Sequence, residues 1–272
     1  MTKAVARLKI GTYNPGGALT RTQLVDDVVR FVSRYGLDGC TLCEFGKRGP
    51  VLVDICREVP WLDVYAGDGS PGANSTPILW DGRRWELDLA TTRPLIPATR
   101  LPQPAGRRDP AGPQRVKRKP LNAVRLHSTG DVLVDGQPLV WRLGAIHAPA
   151  SHWWPPRRQL ATAQNRALDE YADEHDRIPL FVPGDWNTTP TGKARRPLRA
   201  GGWVSAQQSR PGGPAITHPK TSGRIDDVEH HPTTRTPGRP DRVWRPTGVR
   251  TIHTMHGDHL PTIASWALTE PR

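Results

Sequence analysis

The chain has 272 residues and a formal net charge of +12, from 38 Lys and Arg against 26 Asp and Glu side chains. This length is enough to bury a full core, and we expect one domain over residues 1–272. No apolar run approaches the length of a membrane span, and the first residues lack the apolar block of a signal peptide, so a soluble, cytoplasmic protein is expected.

Short apolar runs bounded by turn residues predict strands in the first half of the chain, and two runs with helical spacing predict helices. The predicted order is a strand at 4–14, a helix at 20–35, a strand at 39–45 and a helix at 50–60. Gly36 is the predicted stop of the first helix. Asp81-Gly82 favours a tight turn, so residues 75–90 are predicted to form a hairpin.

The second half predicts further strands around one long helix. The predicted strands are 120–128, 139–147, 178–185, 223–231 and a last one before the C-terminus, and the predicted helix is 155–176. Two segments rich in Arg, Pro and Gly, 104–120 and 235–246, are predicted to be basic loop inserts. Their composition cannot build a core.

Cys40 and Cys43 form a C-x-x-C pair inside the predicted strand at 39–45. Alternation along a strand sends them to opposite faces, so we interpret them as small buried side chains rather than a redox or metal pair. The chain has three Cys in all, which cannot all pair, and this agrees with a reducing compartment.

Polar side chains of the metal-binding or proton-transfer type stand where predicted strands end. They are Asn14, Glu44, His147, Asp185 with Asn187, and Asp258 with His259, while Asp226 lies inside a further strand. Each has an ordinary interpretation by itself, because Asn and Asp are common turn formers and a lone His more often satisfies a loop carbonyl. Together they predict a shared site on one rim of a layered sheet.

Six motifs carry a family resemblance that spans nearly the whole chain. They are GTYN, LCEF, AIHAP, GDWN, RIDD and GDHLP, in this order. Their order and spacing resemble the endonuclease/exonuclease/phosphatase superfamily. The resemblance implies a four-layered α/β sandwich, with two mostly antiparallel β-sheets packed face to face and helices on the outside. Asp227 stands where the family usually has an aromatic residue, and Gly257 where it commonly has Ser.

The same resemblance implies a divalent metal site. Glu44 resembles the main carboxylate ligand, with Asn14 beside it and Asp258 helping to hold the metal. Hard oxygen ligands of this kind suit Mg²⁺, with Mn²⁺ as the alternative, whereas zinc would ask for more His and Cys.

Catalytic roles are implied for five further residues. Asp185 and Asn187 resemble the pair that positions or activates the attacking water and holds the phosphate. His259 resembles the histidine that contacts the scissile phosphate, and Asp226 resembles the acid that orients it. His147 resembles the second histidine of the deoxyribonuclease branch, which protonates the leaving oxygen.

The implied activity is metal-dependent hydrolysis of phosphodiesters, with a nuclease favoured because the chain is basic and Arg-rich. The predicted substrate-binding residues are Asn74, Trp153, Arg115, Lys117 and Arg118. Trp153 would stack on a base. A phosphatase or phosphodiesterase of a small-molecule or lipid phosphoester stays open, as does a non-catalytic nucleic-acid-binding module of the same fold. A monomer with no membrane partner is expected.

Overall fold

Two six-stranded β-sheets form the centre of the molecule, in a computed structural model that describes residues 4–16, 19–46, 48–70, 72–101, 114–130, 132–150, 155–174, 178–231, 242–253 and 255–270. The strands are β1 (Ala4–Tyr13), β2 (Gly39–Leu42), β3 (Leu62–Tyr65), β4 (Ile78–Asp81), β5 (Trp85–Ile96), β6 (Thr99–Leu101), β7 (Gln114–Val116), β8 (Lys119–Ser128), β9 (Leu133–Val134), β10 (Gln137–Pro138), β11 (Val140–His147), β12 (Leu180–Asp185), β13 (Val204–Ser205), β14 (Asp226–His230), β15 (Val243–Thr251) and β16 (Thr262–Thr269).

The strand order is β15-β16-β1-β2-β4-β3 in the first sheet and β13-β14-β12-β11-β8-β5 in the second, and β6-β7 and β9-β10 form two small ribbons. Each large sheet contains one parallel pair, β1 with β2 and β11 with β12, and its other neighbours are antiparallel. A parallel pair needs a long crossover, which a helix provides in both sheets. The predicted sandwich of two mostly antiparallel sheets is confirmed.

The helices are α1 (Arg21–Tyr35), α2 (Gly49–Glu58), α3 (Pro155–Asp173) and α4 (Arg196–Ala200), with 3₁₀ turns at Ala73–Ser75, Lys193–Arg195 and Pro219–Thr221. Thr20 caps α1, because its side chain accepts a hydrogen bond from the Gln23 N–H. Gly36 ends that helix as predicted, with a left-handed φ of 56°. Among the described residues, no helix combines the length and the apolar character that crossing a bilayer requires.

Aromatic side chains fill the space between the two sheets. Phe181 of the second sheet lies 5.2 Å from Trp266 and 5.4 Å from Trp244 of the first, measured between ring centroids. Trp141 packs edge to face against Trp85 at 5.3 Å. Separate apolar clusters lie under α1 and α2 on one outer face and under α3 and α4 on the other. The molecule therefore has four layers.

The hairpin predicted at Asp81-Gly82 is wrong in its pairing. A turn does form, since the Arg84 N–H donates to the Asp81 carbonyl at 3.0 Å. However, β4 pairs with β2 and β3 in the first sheet, while β5 pairs with β8 in the second. Trp85 is fully buried in the core between the sheets. The turn therefore passes the chain from one sheet to the other.

Parts of both predicted basic inserts belong to strands. Residues 114–116 form β7, and residues 119–120 begin β8. Residues 243–246 belong to β15, an edge strand that pairs with β16 and buries Trp244. Pro246 is tolerated there because an edge strand leaves one side unpaired. Residues 104–113 and 235–241 lie outside the described residues.

The cysteines lie as predicted. Cys40 and Cys43 are both buried and unpaired. The Cys43 Sγ lies 3.5 Å from the Ile146 carbonyl oxygen, and burial raises the pKa of its thiol well above the ordinary value. Neither thiol is suited to redox or metal chemistry at neutral pH.

Candidate active site

The carboxyl ends of both parallel pairs meet at one rim of the sandwich. Asn14 follows β1 and Glu44 follows β2, while His147 and Asp185 end β11 and β12 and are partners in register. Asp226 begins β14 directly opposite Asp185. Asp258 and His259 precede β16, whose first residue pairs with Thr12 near the end of β1. The topology thus brings together the residues that the motifs single out.

Two of these residues hold unusual backbone conformations. Glu44 has a φ of 58° and Asn187 a φ of 51°, in the left-handed region that few non-glycine residues adopt. Asn tolerates this region and Glu does so less readily. Among the described residues only Asp135 and Ser222 share the property, and Ser222 also lines the cleft. Such strain persists where the surroundings impose it, as at functional sites.

Asn14 links the two halves of the rim. Its Nδ2 donates to Asp185 Oδ2 at 3.0 Å and lies 3.5 Å from Glu44 Oε1, while its Oδ1 accepts from the Gly16 N–H at 3.0 Å. The side chain is buried. Asn14 was predicted to lie beside Glu44 at the metal, and its amide nitrogen faces the carboxylates of Asp185 and Glu44 and orients them.

Asp185 is buried at the centre of the site. Its Oδ1 accepts the Asn187 N–H at 2.8 Å, and the Asn187 side chain in turn donates to the Ala148 carbonyl at 2.8 Å. Burial, followed by the negative charge of Asp226, raises the pKa of Asp185 to about 7. A carboxylate with this pKa can accept a proton near neutral pH.

His259 and Asp226 form a buried pair. The His259 Nδ1 lies 2.9 Å from Asp226 Oδ2. Burial alone would lower the pKa of His259, but the hydrogen bond and charge of Asp226, with the charge of Asp185, raise it to about 9. The imidazole is therefore protonated at neutral pH, and its second N–H can donate to a bound anion.

His147 differs from His259 in its electrostatics. Its Nε2 lies 3.8 Å from both Glu44 Oε1 and Asp185 Oδ2, which is longer than a hydrogen bond. Burial, and then the positive charges of Lys119 and His259, hold the pKa of His147 well below its ordinary value. The predicted donation of a proton to the leaving oxygen requires the imidazolium form of His147, which this environment disfavours.

Carboxylate oxygens dominate the donor atoms at the rim. Asp185, Asp226 and His259 place one ligand atom each within 4.8 Å of one another. The Oδ1 atoms of Asp226 and Asp258 are buried and have no hydrogen-bond partner in the described part of the chain. Orphaned buried carboxylate oxygens of this kind fit a cation, and an oxygen-rich set suits Mg²⁺ or Mn²⁺ better than zinc.

A cleft of about 910 Å³ opens over the rim. Among the described residues, its acidic lining consists of Glu44, Asp185 and Asp258. Its basic lining comprises Arg115, Lys117, Lys119, Arg157, Arg158, Lys193 and Arg224. An acidic centre within a basic margin is suited to a metal below and a polyanion above.

No family model matches the chain, and no curated protein matches its sequence. Solved structures do match. An endonuclease/exonuclease/phosphatase family protein from Bacteroides thetaiotaomicron gives a TM-score of 0.68 at 13% identity, over 97% of this chain and 98% of that chain. The chain has the endonuclease/exonuclease/phosphatase fold. The resemblance carried by the six motifs is thus confirmed at the level of the fold.

Two other structures of this fold have bearing on substrates. D. rerio TDP2, complexed with single strand DNA product, gives a TM-score of 0.68 at 12% identity, over 96% of this chain and 99% of that chain. A mannosyl-6-phosphatase from Bacteroides thetaiotaomicron gives a TM-score of 0.67 at 13% identity, over 96% of this chain and 98% of that chain. At such identities the endonuclease/exonuclease/phosphatase fold is shared, and the substrate is a separate question.

The predicted substrate-binding residues divide into three groups. Arg115 and Lys117 line the cleft, and Arg118 lines an adjoining cavity of about 360 Å³. Asn74 lines neither cavity, and its Nδ2 donates to the Gly46 carbonyl at 2.8 Å, which ties down the loop after Glu44. Trp153 lies outside the described residues.

Lys119 is a site residue that the sequence prediction missed. It begins β8 and lines both cavities beside Glu44 and His147. Burial lowers its pKa, while the charge of Asp185 acts in the opposite direction. The sequence did indicate Lys119, because Lys117 was predicted to bind substrate and Lys119 lies two residues further along an extended segment. Side chains two residues apart in such a segment can face the same side.

A buried ion network supports the segment that follows Asp185, and it was also missed. Arg195 is fully buried, and its Nη1 donates to Asp227 Oδ2 and Glu229 Oε1, both at 2.8 Å. Its Nη2 donates to the Thr188 carbonyl at 2.7 Å. Asp227 stands where the motif usually has an aromatic residue, and this departure could have indicated a buried charged partner for Asp227. Arg195 therefore positions the chain next to Asn187.

Proposed function

We propose that the chain is a divalent-metal-dependent hydrolase that cleaves phosphodiester bonds in nucleic acid. One observation carries the proposal. A single cleft joins a buried acid with a pKa of about 7, a protonated histidine held by an acid, and orphaned carboxylate oxygens, within a basic margin. These are the groups that in-line hydrolysis of a phosphodiester requires.

Asp185 is the proposed general base. It accepts a proton from the attacking water as the water oxygen bonds to phosphorus and the bond to the leaving oxygen breaks. Asn14 and the Asn187 N–H hold its two oxygens in place. A base of this kind typically contributes about 10²–10⁴-fold to the rate.

His259 is the proposed donor to the phosphate. Its charged ring, held by Asp226, stabilises the negative charge that develops on the phosphate oxygens. Lys119, at the same cleft, adds positive charge. Because His147 is neutral, the leaving oxygen takes its proton from solvent.

Glu44 and Asp258 are proposed to hold the metal, beside the Asp185–Asp226 pair. Gly16 makes room for Asp258, since a Cβ at position 16 would overlap its carboxylate. A bound Mg²⁺ or Mn²⁺ supplies charge neutralisation on the phosphate and leaving oxygens.

Nucleic acid is the proposed substrate because the cleft margin is basic and the chain carries a net charge of +12. TDP2, which shares the fold, is known in complex with single strand DNA product. A small sugar phosphate is the second candidate, since a mannosyl-6-phosphatase has the same fold.

The test is incubation of the purified protein with supercoiled plasmid, single-stranded DNA, RNA and a hexose 6-phosphate, in Mg²⁺, Mn²⁺ or EDTA. We expect cleavage of a polymer that requires metal and falls by about 10²-fold or more in Glu44→Gln.

Glu58→Gln is the matched control, because Glu58 is an exposed glutamate at the end of α2, outside the cleft. It should retain wild-type cleavage. Phosphate release from the hexose phosphate without polymer cleavage would favour the second candidate. Activity that persists in EDTA and in Glu44→Gln would contradict the proposed site.

A further inference from the structure

A second, smaller space adjoins the cleft along α3. Its volume is about 290 Å³, and we call it the α3 groove. The groove is lined by Arg158, Gln159, Thr162, Ala163, Arg166 and Lys193. Arg158 and Lys193 also line the catalytic cleft, so the two spaces are continuous along these side chains.

The two walls of the α3 groove are held together from beneath. One wall is α3, where Arg158, Thr162 and Arg166 recur every fourth residue and therefore share a face. The other wall is the 3₁₀ turn that begins at Lys193. Asn165 is fully buried between them, and its Nδ2 donates to the Ala194 carbonyl at 2.7 Å. The groove is thus a built feature of the second outer layer.

All charged residues that line the α3 groove are positive. Arg166 and Lys193 are exposed, and the structure gives Arg158, Arg166 and Lys193 no ion pair with any described acid. Elsewhere the protein pairs its arginines readily, as Arg195 and Arg199 do with Glu229. Three adjacent unpaired cations repel one another unless an anion neutralises them.

The length of the groove indicates more than one phosphate. Arg158 and Arg166 are eight residues apart on α3, which is about 12 Å along a helix axis. One strand of B-DNA advances about 3.4 Å along the duplex axis per phosphate, so a wall of about 12 Å is longer than a single nucleotide step. A small phosphoester would occupy the cleft alone.

We infer that the α3 groove binds the sugar-phosphate backbone of the substrate strand on one side of the scissile phosphate. The inference rests on the proposed function for the identity of the polymer. It adds the direction in which the strand leaves the cleft, and it makes Arg166 a residue that determines preference for long substrates.

The test compares kcat/KM for a dinucleotide with kcat/KM for a single-stranded oligodeoxynucleotide of about ten nucleotides, since only the longer chain reaches the groove. We define the ratio as kcat/KM for the oligonucleotide divided by kcat/KM for the dinucleotide, and we expect it to be greater than one in the wild type. Arg166→Ala should lower this ratio about 5-fold through KM, and Arg166→Glu should lower it further, whereas Arg166→Lys should largely restore it.

Arg34→Ala and Arg34→Glu are the matched controls, because Arg34 is an exposed arginine of α1 on the opposite outer layer. The inference is overturned if the wild type has equal kcat/KM for the two substrates. It is also overturned if the Arg166 variants show the same ratio as the Arg34 variants.

If the wild type cleaves neither these two substrates nor any polymer in the test of the proposed function, the proposed hydrolase fails, and binding then decides the groove. Fluorescence anisotropy of the labelled oligonucleotide in EDTA must show weaker binding by Arg166→Glu than by Arg34→Glu. Equal binding by the two variants would overturn the groove as well.

Discussion

Gly257, next to Asp258 and His259, is fixed by its contact with Tyr13. A Cβ at position 257 would overlap the Tyr13 hydroxyl and lie 3.0 Å from the Pro15 carbonyl oxygen. Tyr13 cannot easily move away, because it is fully buried and its hydroxyl donates to Asp27 Oδ2 at 2.7 Å. The same carboxylate also accepts the His256 N–H at 2.8 Å. Tyr13 and Asp27 therefore set the path of the chain into the site.

We expect Gly257→Ser to lower the free energy of unfolding by about 1–3 kcal/mol, as overpacking does. Adding Tyr13→Phe removes the overlapping oxygen. The double variant should then be less destabilised than the sum of the two single variants, by about 1 kcal/mol. Urea denaturation of the four proteins measures both quantities.

Gly248→Ser is the control for this cycle, because, apart from its chain neighbours, no atom of the described residues lies within 4 Å of where a Cβ at position 248 would stand. It should change stability little. A Gly257→Ser protein as stable as Gly248→Ser would contradict the packing of Gly257 described above.

His259 predicts a pH dependence of stability in the metal-free protein. Its folded pKa is about 9, against an ordinary value of 6.5, so the folded state keeps a proton that the unfolded state loses between these pH values. The stabilisation is fully present below pH 6.5 and is lost as the pH rises through about 9. Its size is of order 3 kcal/mol.

The measurement is urea denaturation in EDTA from pH 6 to 10. His259→Gln should flatten the decline in stability, and His253→Gln, which alters an exposed histidine, should leave it unchanged. A decline of equal size in wild type and His259→Gln would show that the His259–Asp226 pair does not carry it.

At the scale of elements, β14 supports the site from both faces. Asp226 faces His259, whereas the neighbouring Asp227 faces Arg195 on the other side of the strand. Arg195 then holds the Thr188 carbonyl. Loss of Arg195 would leave Asp227 and Glu229 as buried charges with fewer partners.

We expect Arg195→Met to destabilise the protein by about 3–5 kcal/mol, because it breaks a buried ion pair on one side. At a temperature where the variant stays folded, kcat should fall more than KM rises, since the chain around Asn187 is displaced. Arg196→Met, at the exposed neighbouring position, should alter neither quantity. Thermal denaturation with steady-state kinetics checks both, and a stable, fully active Arg195→Met would contradict the positioning role.

Elements with their own apolar pattern were predictable, and pairings between distant strands were not. The ends of α1 follow from Thr20 and Gly36, which act locally. The partner of β5 does not follow from Asp81-Gly82, because burial of Trp85 between the sheets outweighs the local turn. β15 was missed since its stability comes from pairing with β16, which lies beyond it in the chain.

At the scale of the whole molecule, the order of motifs was enough to predict the fold and the meeting of Glu44, Asp185 and His259 at one rim. The properties of the assembled site depend on packing that no motif encodes. The low pKa of His147 arises from burial and from Lys119, which is distant in sequence. The ion network of Arg195 likewise joins the 3₁₀ turn before α4 to β14, which lies about 30 residues further along the chain.

The basic margin predicts that cleavage of DNA weakens steeply with salt. Each phosphate contact on single strands contributes about −0.7 to the slope of log affinity against log salt. We expect 1/KM for single-stranded DNA to fall with rising NaCl at a slope of several such contacts. Bis(p-nitrophenyl) phosphate is a small diester with a single negative charge, so its hydrolysis should change little over the same range. Parallel slopes for the two substrates would contradict a role for the margin.

The most direct test of the hydrolytic centre is the rate of bis(p-nitrophenyl) phosphate hydrolysis by wild type and Asp185→Ala, with Mg²⁺ and with EDTA. This substrate is too small to need the basic margin, so it reports on the centre alone. We predict metal-dependent hydrolysis that falls by about 10²-fold or more in Asp185→Ala. Equal rates in the two proteins, or a wild-type rate unaffected by EDTA, would contradict a metal-dependent centre built around Asp185.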